Sequence, residues 1–445
     1  MKLSAAVAVA AVSLAFTQSG LSKDERAAAA FVDANQAEAI ALLERAVNIN
    51  SGTQNLEGVR QVGALFKAEF DTLGFTTTWV NQDEVRRAGH LVAEWKPRAS
   101  GARSGQAPPK VLLIGHLDTV FEPDSPFQKF ERLDGNKARG PGIIDMKGGN
   151  VVIVTALKAL KAAGLLDRMH IVVVMTGDEE SAGRPLRAAR KALVDAAQGA
   201  AAALGFEDGD GHIDHAVTAR RGTTRWELTV KGKPAHSSQI FREDVGDGAI
   251  FEAARVLREF QTQLEGQPHL TFNPGVILGG TSVDFDAQAA RGAAFGKDNV
   301  IAEHAIAAGD LRALTPEQFE TARDTMERIA KASLPHASSA LVFDEGYPPL
   351  APTEGNAKLL AMLDTASRDL GLNPVTAVDP DRAGAADISF VAAHVPMLID
   401  ALGLKGDGGH TVEETADLGN LAVQAKRAAV LLARIYFSGD RAASR

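Results

Sequence analysis

The chain contains no cysteine. Disulfides, thiolate zinc sites and a cysteine nucleophile are therefore excluded, and any transition metal must be bound by His, Asp and Glu side chains. Aromatic residues make up only 5% of the chain, and 47 Lys and Arg face 56 Asp and Glu, which gives a net charge of -9. Because neutralising phosphates requires a basic surface, this balance argues against nucleic-acid binding and favours small or neutral partners.

Long apolar runs are scarce as well. The longest is residues 5–16, which follows a lysine at position 2 and is too short to span a bilayer as a helix. We interpret residues 1–22 as a signal peptide, which predicts a secreted or periplasmic protein with no membrane segment in its mature form. An N-terminal helix of the mature protein is the alternative, and several cleavage sites between residues 15 and 20 stay open.

The remaining chain alternates short apolar runs with longer helical patterns. Apolar runs at 111–114 and 171–175 are each followed by a helical pattern, at 151–163 and 186–197. This alternation predicts an α/β catalytic domain of three layers with a mostly parallel sheet. Ligands of such sheets bind beyond the carboxyl ends of the strands, so the polar residues that follow each apolar run are the candidates for chemistry.

The first two candidates are a histidine and an aspartate in separate motifs. His116 lies in Gly-His-Leu-Asp-Thr, where residues two apart share a face, so Asp118 can accept the second ring hydrogen of His116 and select its metal-binding tautomer. Alone, this motif equally fits a structural histidine. Asp145 lies in a glycine-rich turn, residues 140–149, whose backbone can approach an ion closely. A helix N-cap is the alternative for Asp145.

Acidic residues follow the next strands. Thr-Gly-Asp-Glu-Glu ends at Glu180, and because neighbouring residues of an extended chain point in opposite directions, one of Glu179 and Glu180 can bind metal while the other acts as general base. A solvated acidic surface is the alternative. Glu207 stands in an acidic cluster, residues 207–210, that offers several donors. His410 follows a glycine pair and the apolar run 396–402, which predicts that it lies at the carboxyl end of a strand.

Together and in this order, the motifs resemble those of the zinc metallopeptidase family that includes glutamate carboxypeptidase, aminoacylase and succinyl-diaminopimelate desuccinylase. The resemblance covers nearly the whole chain after residue 40 and is greatest to the bacterial folate-cleaving glutamate carboxypeptidase branch. It implies two Zn²⁺ per chain. The implied ligands are His116 and Glu207 on one ion, Glu180 and His410 on the other, and Asp145 between the two.

The pattern changes between residues 220 and 335, where strands and helices suggest an inserted α+β domain within a catalytic domain formed by 23–219 and 336–445. The resemblance implies that this insert is a lid that also forms a homodimer. His236, in Gly-Lys-Pro-Ala-His-Ser-Ser, matches the family's lid histidine, which stabilises the oxyanion and commonly reaches the partner's active site. A surface histidine in a turn is the alternative.

Two more lid residues match family positions that contact substrate. These are Asn299 and Arg312, and the planar fork of an arginine suits a substrate carboxylate. The chain also departs from the family pattern. Residues 284–296 resemble an extra loop, and Asp387 lies where relatives often carry a hydroxyl, which puts carboxylate recognition near Asp387 in doubt.

The function implied is hydrolysis of an amide or peptide bond in a small peptide or N-acyl amino acid, with the zinc ions activating water, Glu179 as general base and Asp118 orienting His116. A carboxypeptidase that resembles glutamate carboxypeptidase is the first expectation. An N-acyl amino acid deacylase, or aminoacylase, is the second. A relative that binds without catalysis is the third, and the complete set of ligands and base argues against it.

Overall fold

The computed structural model describes residues 20–97, 108–287 and 289–443, so residues 1–19 of the predicted signal peptide lie outside it. The helices are α1 (Lys23–Ala34), α2 (Gln36–Val47), α3 (Leu56–Leu73), α4 (Gly148–Ala162), α5 (Leu186–Ala189), α6 (Lys191–Ala197), α7 (Gly248–Leu264), α8 (Pro316–Lys331), α9 (Glu354–Asp369) and α10 (Gly419–Ala443). The strands are β1 (Thr76–Gln82), β2 (Arg87–Trp95), β3 (Lys110–His116), β4 (Glu131–Arg132), β5 (Lys137–Arg139), β6 (His170–Thr176), β7 (Ala200–Gly205), β8 (His215–Ala216), β9 (Gly222–Lys231), β10 (Thr271–Gly280), β11 (Ser282–Asp286), β12 (Arg291–Phe295), β13 (His304–Ala313), β14 (Ser338–Phe343), β15 (Thr376–Ala377), β16 (Leu398–Ile399), β17 (Gly406–Asp407) and β18 (Thr415–Asp417).

The catalytic domain is built on a six-stranded sheet in the order β1-β2-β6-β3-β7-β16. Strands β6, β3, β7 and β16 are parallel, whereas β1 and β2 are antiparallel at one edge. Strand β3 is buried from its second residue to its last. Its unbroken apolar run follows from that burial, because helices cover both faces of a parallel sheet. The predicted α/β class with a mostly parallel sheet is confirmed.

Two apolar layers enclose this sheet. Helices α1, α2, α3, α4 and α10 pack on one face, and α6 packs on the other together with the turn at Asp387–Val391. Helix α4 is buried along almost its whole length because it lies between the sheet and α10. The arrangement is therefore the three-layer one that the sequence predicts.

The N-terminal helical pattern divides into two helices. Asn35 ends α1 by donating from Nδ2 to the carbonyl of Phe31 at 2.7 Å, and α2 starts at the next residue. Ser22 caps α1, because its Oγ accepts from the Glu25 amide at 3.2 Å while its own amide donates to the Glu25 carboxylate at 2.6 Å. Ser22, the last residue of the predicted signal peptide, therefore takes part in the first described helix. Within the described residues, every helix is too short or too polar to cross a bilayer.

The lid is a second unit with its own core. Its antiparallel sheet runs β10-β13-β9-β14, and α7 and α8 pack on one face around Trp226 and Phe260. Thr315 caps α8, accepting from the Gln318 amide at 3.1 Å. Strand β14 pairs with β9, so the lid extends to Phe343 rather than ending at residue 335. Alternating burial predicts a strand, but it does not say which sheet the strand joins.

Candidate metal centre

The central sheet supplies the first side chains of the site. Strands β6, β3 and β7 are parallel neighbours, and they end at Thr176, His116 and Gly205. The carboxyl ends of these strands therefore lie side by side. His116 itself, the Asp-Glu-Glu segment after β6 and Glu207 after β7 consequently reach the same edge of the sheet, as the sequence predicts.

A small second sheet positions the other two candidate ligands. It runs β17-β18-β5-β4; Asp145 lies in the turn between β5 and α4, and His410 lies in the loop between β17 and β18. His410 therefore follows β17 of this small sheet, and not directly the apolar run 396–402 that the sequence predicts as its strand. The central sheet's last strand, β16, contains only two residues, since the rest of the apolar run is buried without continuing the strand. His410 adopts a left-handed conformation with φ of 64°.

Asp145 lies between two histidines. Its Oδ1 is 2.9 Å from His116 Nε2 and its Oδ2 is 2.8 Å from His410 Nε2. Glu207 Oε1 is 3.7 Å from His116 Nε2, and Glu180 Oε2 is 3.3 Å from His410 Nε2. Two groups of three potential ligands result, and they share Asp145; within each group the ligand atoms all lie within 4.8 Å of one another.

The electrostatics of these groups fit divalent cations. Burial raises the pKa of Glu180 to about 7, and burial likewise raises the pKa of Glu207 well above its usual value. Hydrogen bonds with Asp145 and Glu180 raise the pKa of His410 to about 11. The raised pKa values of the two glutamates reflect the cost of keeping several carboxylates buried together, a cost that divalent cations would offset. In addition, Glu180 Oε1 is buried without a hydrogen-bond partner among the described residues, as expected of a ligand atom.

Asp118 acts on two neighbours at once. The Nδ1 atom of His116 is 3.0 Å from the Asp118 carbonyl oxygen and 3.4 Å from its carboxylate, so the backbone, rather than the predicted side chain, is the nearer partner. The buried Asp118 carboxylate accepts the amide hydrogens of Glu179 at 3.0 Å and Glu180 at 3.1 Å, and the Thr53 hydroxyl hydrogen at 2.7 Å. Asp118 thus orients the ligand histidine and the glutamate pair together.

The two glutamates differ in position. Glu180 approaches His410 and belongs to a metal-binding group, whereas the Glu179 carboxylate lies outside both groups. Burial raises the pKa of Glu179 well above its usual value, and the charges of Asp387 and Glu180 add to this effect. A carboxylate of raised basicity beside a metal group suits a general base.

Glu207 is the member of the acidic cluster 207–210 that joins a metal-binding group. Asp210 instead pairs with His215 at 2.9 Å. Asp208 accepts a hydrogen bond from Lys405 Nζ through its backbone carbonyl at 2.6 Å. Glu207 is therefore the choice that the geometry favours, as the family order implies.

Glu414 is a functional residue that the sequence reasoning missed. It is fully buried, and its carboxylate accepts the amide hydrogens of Gly142 and Ile144 at 2.9 Å each and that of Asp145 at 3.3 Å. These bonds hold the turn that carries Asp145 to the loop that carries His410. The only sequence signal was its position four residues after the histidine.

Among the described residues, no hydrogen bond or ion pair joins the lid candidates His236, Asn299 and Arg312 to the two groups of potential ligands. His236 and Asn299 lie close together. The backbone of His236 forms an isolated antiparallel β-bridge with that of Val300, and the Ser237 amide donates to the Asn299 carbonyl at 2.9 Å. The Nδ1 atom of His236 accepts from the Ser238 amide at 3.2 Å, which leaves the Nε2 atom to carry the hydrogen. Arg312, on β13, is half-exposed and donates from Nε to Asp310 at 2.8 Å.

The model of "Peptidase family M20/M25/M40" matches residues 112–434. The chain belongs to this family. It is 28% identical over 377 residues to carboxypeptidase G2 of Pseudomonas sp. (strain RS-16), which covers 84% of each chain. It is 27% identical over 336 residues to succinyl-diaminopimelate desuccinylase of Rhodospirillum centenum, which covers 72% of this chain and 80% of the relative.

Solved structures share the fold of this M20 chain. Aminopeptidase PepT from Bacillus cereus superimposes with a TM-score of 0.70 at 19% identity, over 90% of this chain and 99% of that one. A dinuclear metal-binding M20 peptidase from Bacillus subtilis gives 0.60 at 16% identity, over 91% and 99%. The chain is thus a metal-dependent peptidase of the M20 family, with a catalytic domain and a smaller second domain.

Proposed function

We propose that this M20 enzyme is a two-zinc carboxypeptidase that removes a carboxylate-bearing residue from a small amide or peptide substrate. The observation that carries the proposal is the pair of metal-binding groups that share Asp145, with the Glu179 carboxylate beside them. Ligands made only of imidazole and carboxylate suit Zn²⁺. The similarity to carboxypeptidase G2 over 84% of both chains supports this substrate class.

Each residue has a defined task in the proposed reaction. Zinc, when bound, supplies the Lewis acid that polarises the scissile carbonyl and acidifies a water. Glu179 takes a proton from that water and delivers it to the leaving amine, a role worth roughly 10²- to 10⁴-fold in rate. His236 donates from Nε2 to the oxyanion, and Arg312 and Asn299 bind polar groups of the substrate.

The second candidate is a deacylase of N-acyl amino acids. It is favoured by the similarity to succinyl-diaminopimelate desuccinylase, which covers 80% of that relative. The metals and the base would be the same in both cases. The difference would lie in which side of the amide bond the pocket recognises.

A matched substrate panel separates the two candidates. We expect the zinc-loaded protein to cleave an N-blocked dipeptide that ends in glutamate faster than its α-carboxamide, and faster than an N-succinyl amino acid. Faster cleavage of the N-succinyl substrate would select the deacylase. Glu179→Gln is the control, because it should bind zinc and be inactive; full activity in this variant would refute the proposed mechanism.

We further propose a homodimer formed through the lid. Phe241, Ile250, Phe251 and Ile277 are 64%, 47%, 51% and 55% exposed. Three of them lie on or beside α7 and one on the edge strand β10, so they form an apolar surface next to unpaired strand backbone. Phe251→Asp should yield monomers in sedimentation. Val342→Asp, at an equally exposed residue on the opposite edge strand, should leave the dimer intact.

The secreted or periplasmic location is likewise a proposal. It rests on the apolar run 5–16, which precedes the capped start of α1. We expect cleavage before Ser22, since removal of Ser22 would destroy the capping box. N-terminal sequencing of the protein isolated from its native host checks this; a mature chain that still begins at residue 1 would contradict it.

A further inference from the structure

The segment that carries the general base is held from two sides. On the side of His116, Asp118 binds the amides of Glu179 and Glu180, as described above. On the other side, the hydroxyl of Tyr347 donates to the carbonyl oxygen of Glu179 at 2.8 Å. Tyr347 therefore contacts the backbone of the proposed base directly.

The direction of this hydrogen bond is set by a buried arginine. Arg190 donates from Nη2 to the Tyr347 hydroxyl oxygen at 3.0 Å, so the hydroxyl hydrogen points to Glu179. Arg190 is itself fixed by ion pairs with Asp178 at 2.6 Å and Asp387 at 2.7 Å. All three charged side chains are almost fully buried, which makes this network rigid. The pairing also explains Asp387, which turns inward to Arg190.

Tyr347 is also part of the connection between the lid and the catalytic domain. It lies between β14, the last lid strand, and α9. The amide of Thr223, at the start of the first lid strand, donates to the Tyr347 carbonyl at 2.9 Å, and Arg220 and Leu350 exchange backbone hydrogen bonds of 2.9 and 3.0 Å. The chain passes between the catalytic domain and the lid twice, near residues 220–223 and 347–350. The backbone of Tyr347 links these two connections to each other, and its side chain binds the segment that carries Glu179.

We propose that Tyr347 is a positioning residue that holds Glu179 in its proton-transfer orientation and couples this orientation to the base of the lid. The inference rests on the proposed role of Glu179. Tyr347 acts through the Glu179 carbonyl, and among the described residues it forms no hydrogen bond with any of the five candidate metal ligands. Its loss should lower turnover and leave metal binding and substrate binding unchanged.

The chain offers a matched pair for the test, since it contains only two tyrosines. The hydroxyl of Tyr436 also donates to a buried carbonyl, that of His170, at the opposite end of strand β6 from the site. Tyr347→Phe and Tyr436→Phe therefore delete the same chemical group. We expect Tyr347→Phe to lower kcat about tenfold, the scale of one net hydrogen bond, with KM within about twofold. Both zinc equivalents should stay bound, and Tyr436→Phe should keep the wild-type kcat.

A double-mutant cycle provides the decisive readout. Glu179→Asp shortens the side chain by one methylene and moves the carboxylate out of its proton-transfer position. The hydrogen bond from Tyr347 then has a smaller effect on kcat. In that background, Tyr347→Phe should cost less than about threefold in kcat, because two residues that act through one group are not additive. All rates are measured well below the lower melting temperature of the variants, so that a loss of stability does not enter.

The outcomes separate this inference from the proposed function. Full activity in Glu179→Gln refutes the proposed function and the inference with it. An inactive Glu179→Gln combined with an unchanged kcat in Tyr347→Phe overturns only the inference. An additive cycle, an equal loss of kcat in Tyr436→Phe, or loss of zinc from Tyr347→Phe overturns it too, because each indicates a general structural role.

Discussion

The metal centre and the lid present their candidate residues in opposite ways. In the metal centre, His116 is 1% exposed, and Asp145 meets side chains from segments 29 and 265 residues away in sequence. In the lid, His236 and Asn299 are exposed, and their described bonds and bridges join them only to other residues of the lid. The comparison shows that side chains from distant segments contact one another in the candidate metal centre, whereas the described hydrogen bonds of the lid candidates all run to other lid residues.

The largest expected effect tests the first half of this comparison. Asp145→Ala removes the carboxylate that both metal-binding groups share. We expect loss of both zinc equivalents and a fall in activity of roughly 10⁴-fold or more, since the metal functions are lost together. Metal analysis of the dialysed protein and steady-state rates measure this. A variant that still holds both ions would show that Asp145 does not bridge them.

His236→Ala tests the second half. The variant should keep both zinc ions and lose about 10²- to 10³-fold in kcat, the usual effect of removing an oxyanion donor. His304→Ala changes another lid histidine and should have little effect. Loss of zinc from His236→Ala would show that this lid residue supports metal binding, and the contrast drawn between the metal centre and the lid would then be wrong.

The same variant can show whether the lid acts across a dimer. The two variants His236→Ala and Glu179→Gln are each expected to be inactive alone. When they are mixed, about a quarter of wild-type activity should return, because half of the dimers contain one chain of each variant and each such dimer has one complete site of two. No recovery after demonstrated subunit exchange would place His236 in its own chain's site. The lid would then have to move to reach it.

A smaller effect is expected at Glu414, which sharpens the account of the metal centre. Glu414→Gln weakens the hydrogen bonds from three backbone amides that hold the Asp145 turn. Zinc affinity, measured by competition with a chelator, should fall by about 10- to 100-fold, as is usual when a group that supports a ligand is changed. Glu413→Gln, at the exposed neighbouring residue, is the control. Equal zinc affinities in the two variants would mean that the turn carrying Asp145 keeps its conformation without the Glu414 carboxylate.

These two regions also differ in how far the sequence predicts them. His116 and the glutamate pair were identifiable because each follows an apolar run that ends at the same sheet edge, whereas Glu207 was chosen from its acidic cluster by the order of the family's motifs. The orientation of the glutamates was not, because it depends on Asp118, which lies 61 residues before Glu179. Periodicity describes one segment at a time and says nothing of such partners.

The supporting residues were beyond prediction for the same physical reason. Tyr347 binds a carbonyl 168 residues away, and Glu414 binds an amide 272 residues away. Neither residue forms a motif by itself. His410 was identified by its order in the resemblance, yet its strand was misassigned, since two-residue strands leave no periodic signal. The predicted end of the lid at residue 335 was wrong because the sequence of strand β14 does not indicate which sheet the strand joins.

The smallest expected effect concerns Arg312, where the lid would touch substrate. Asp310 holds the Nε atom of Arg312 at 2.8 Å, which orients the planar fork. Arg312→Lys keeps the charge but loses the fork, so we expect KM to rise about tenfold for substrates with an α-carboxylate, with kcat nearly unchanged. The α-carboxamide analogue should show no such rise. Arg225→Lys is the control, since Arg225 lies on a neighbouring lid strand and pairs with Glu227 at 3.2 Å. If both variants raise KM equally and for both substrates, the lid attracts anions only through its general charge, and the specific contact at Arg312 must be abandoned.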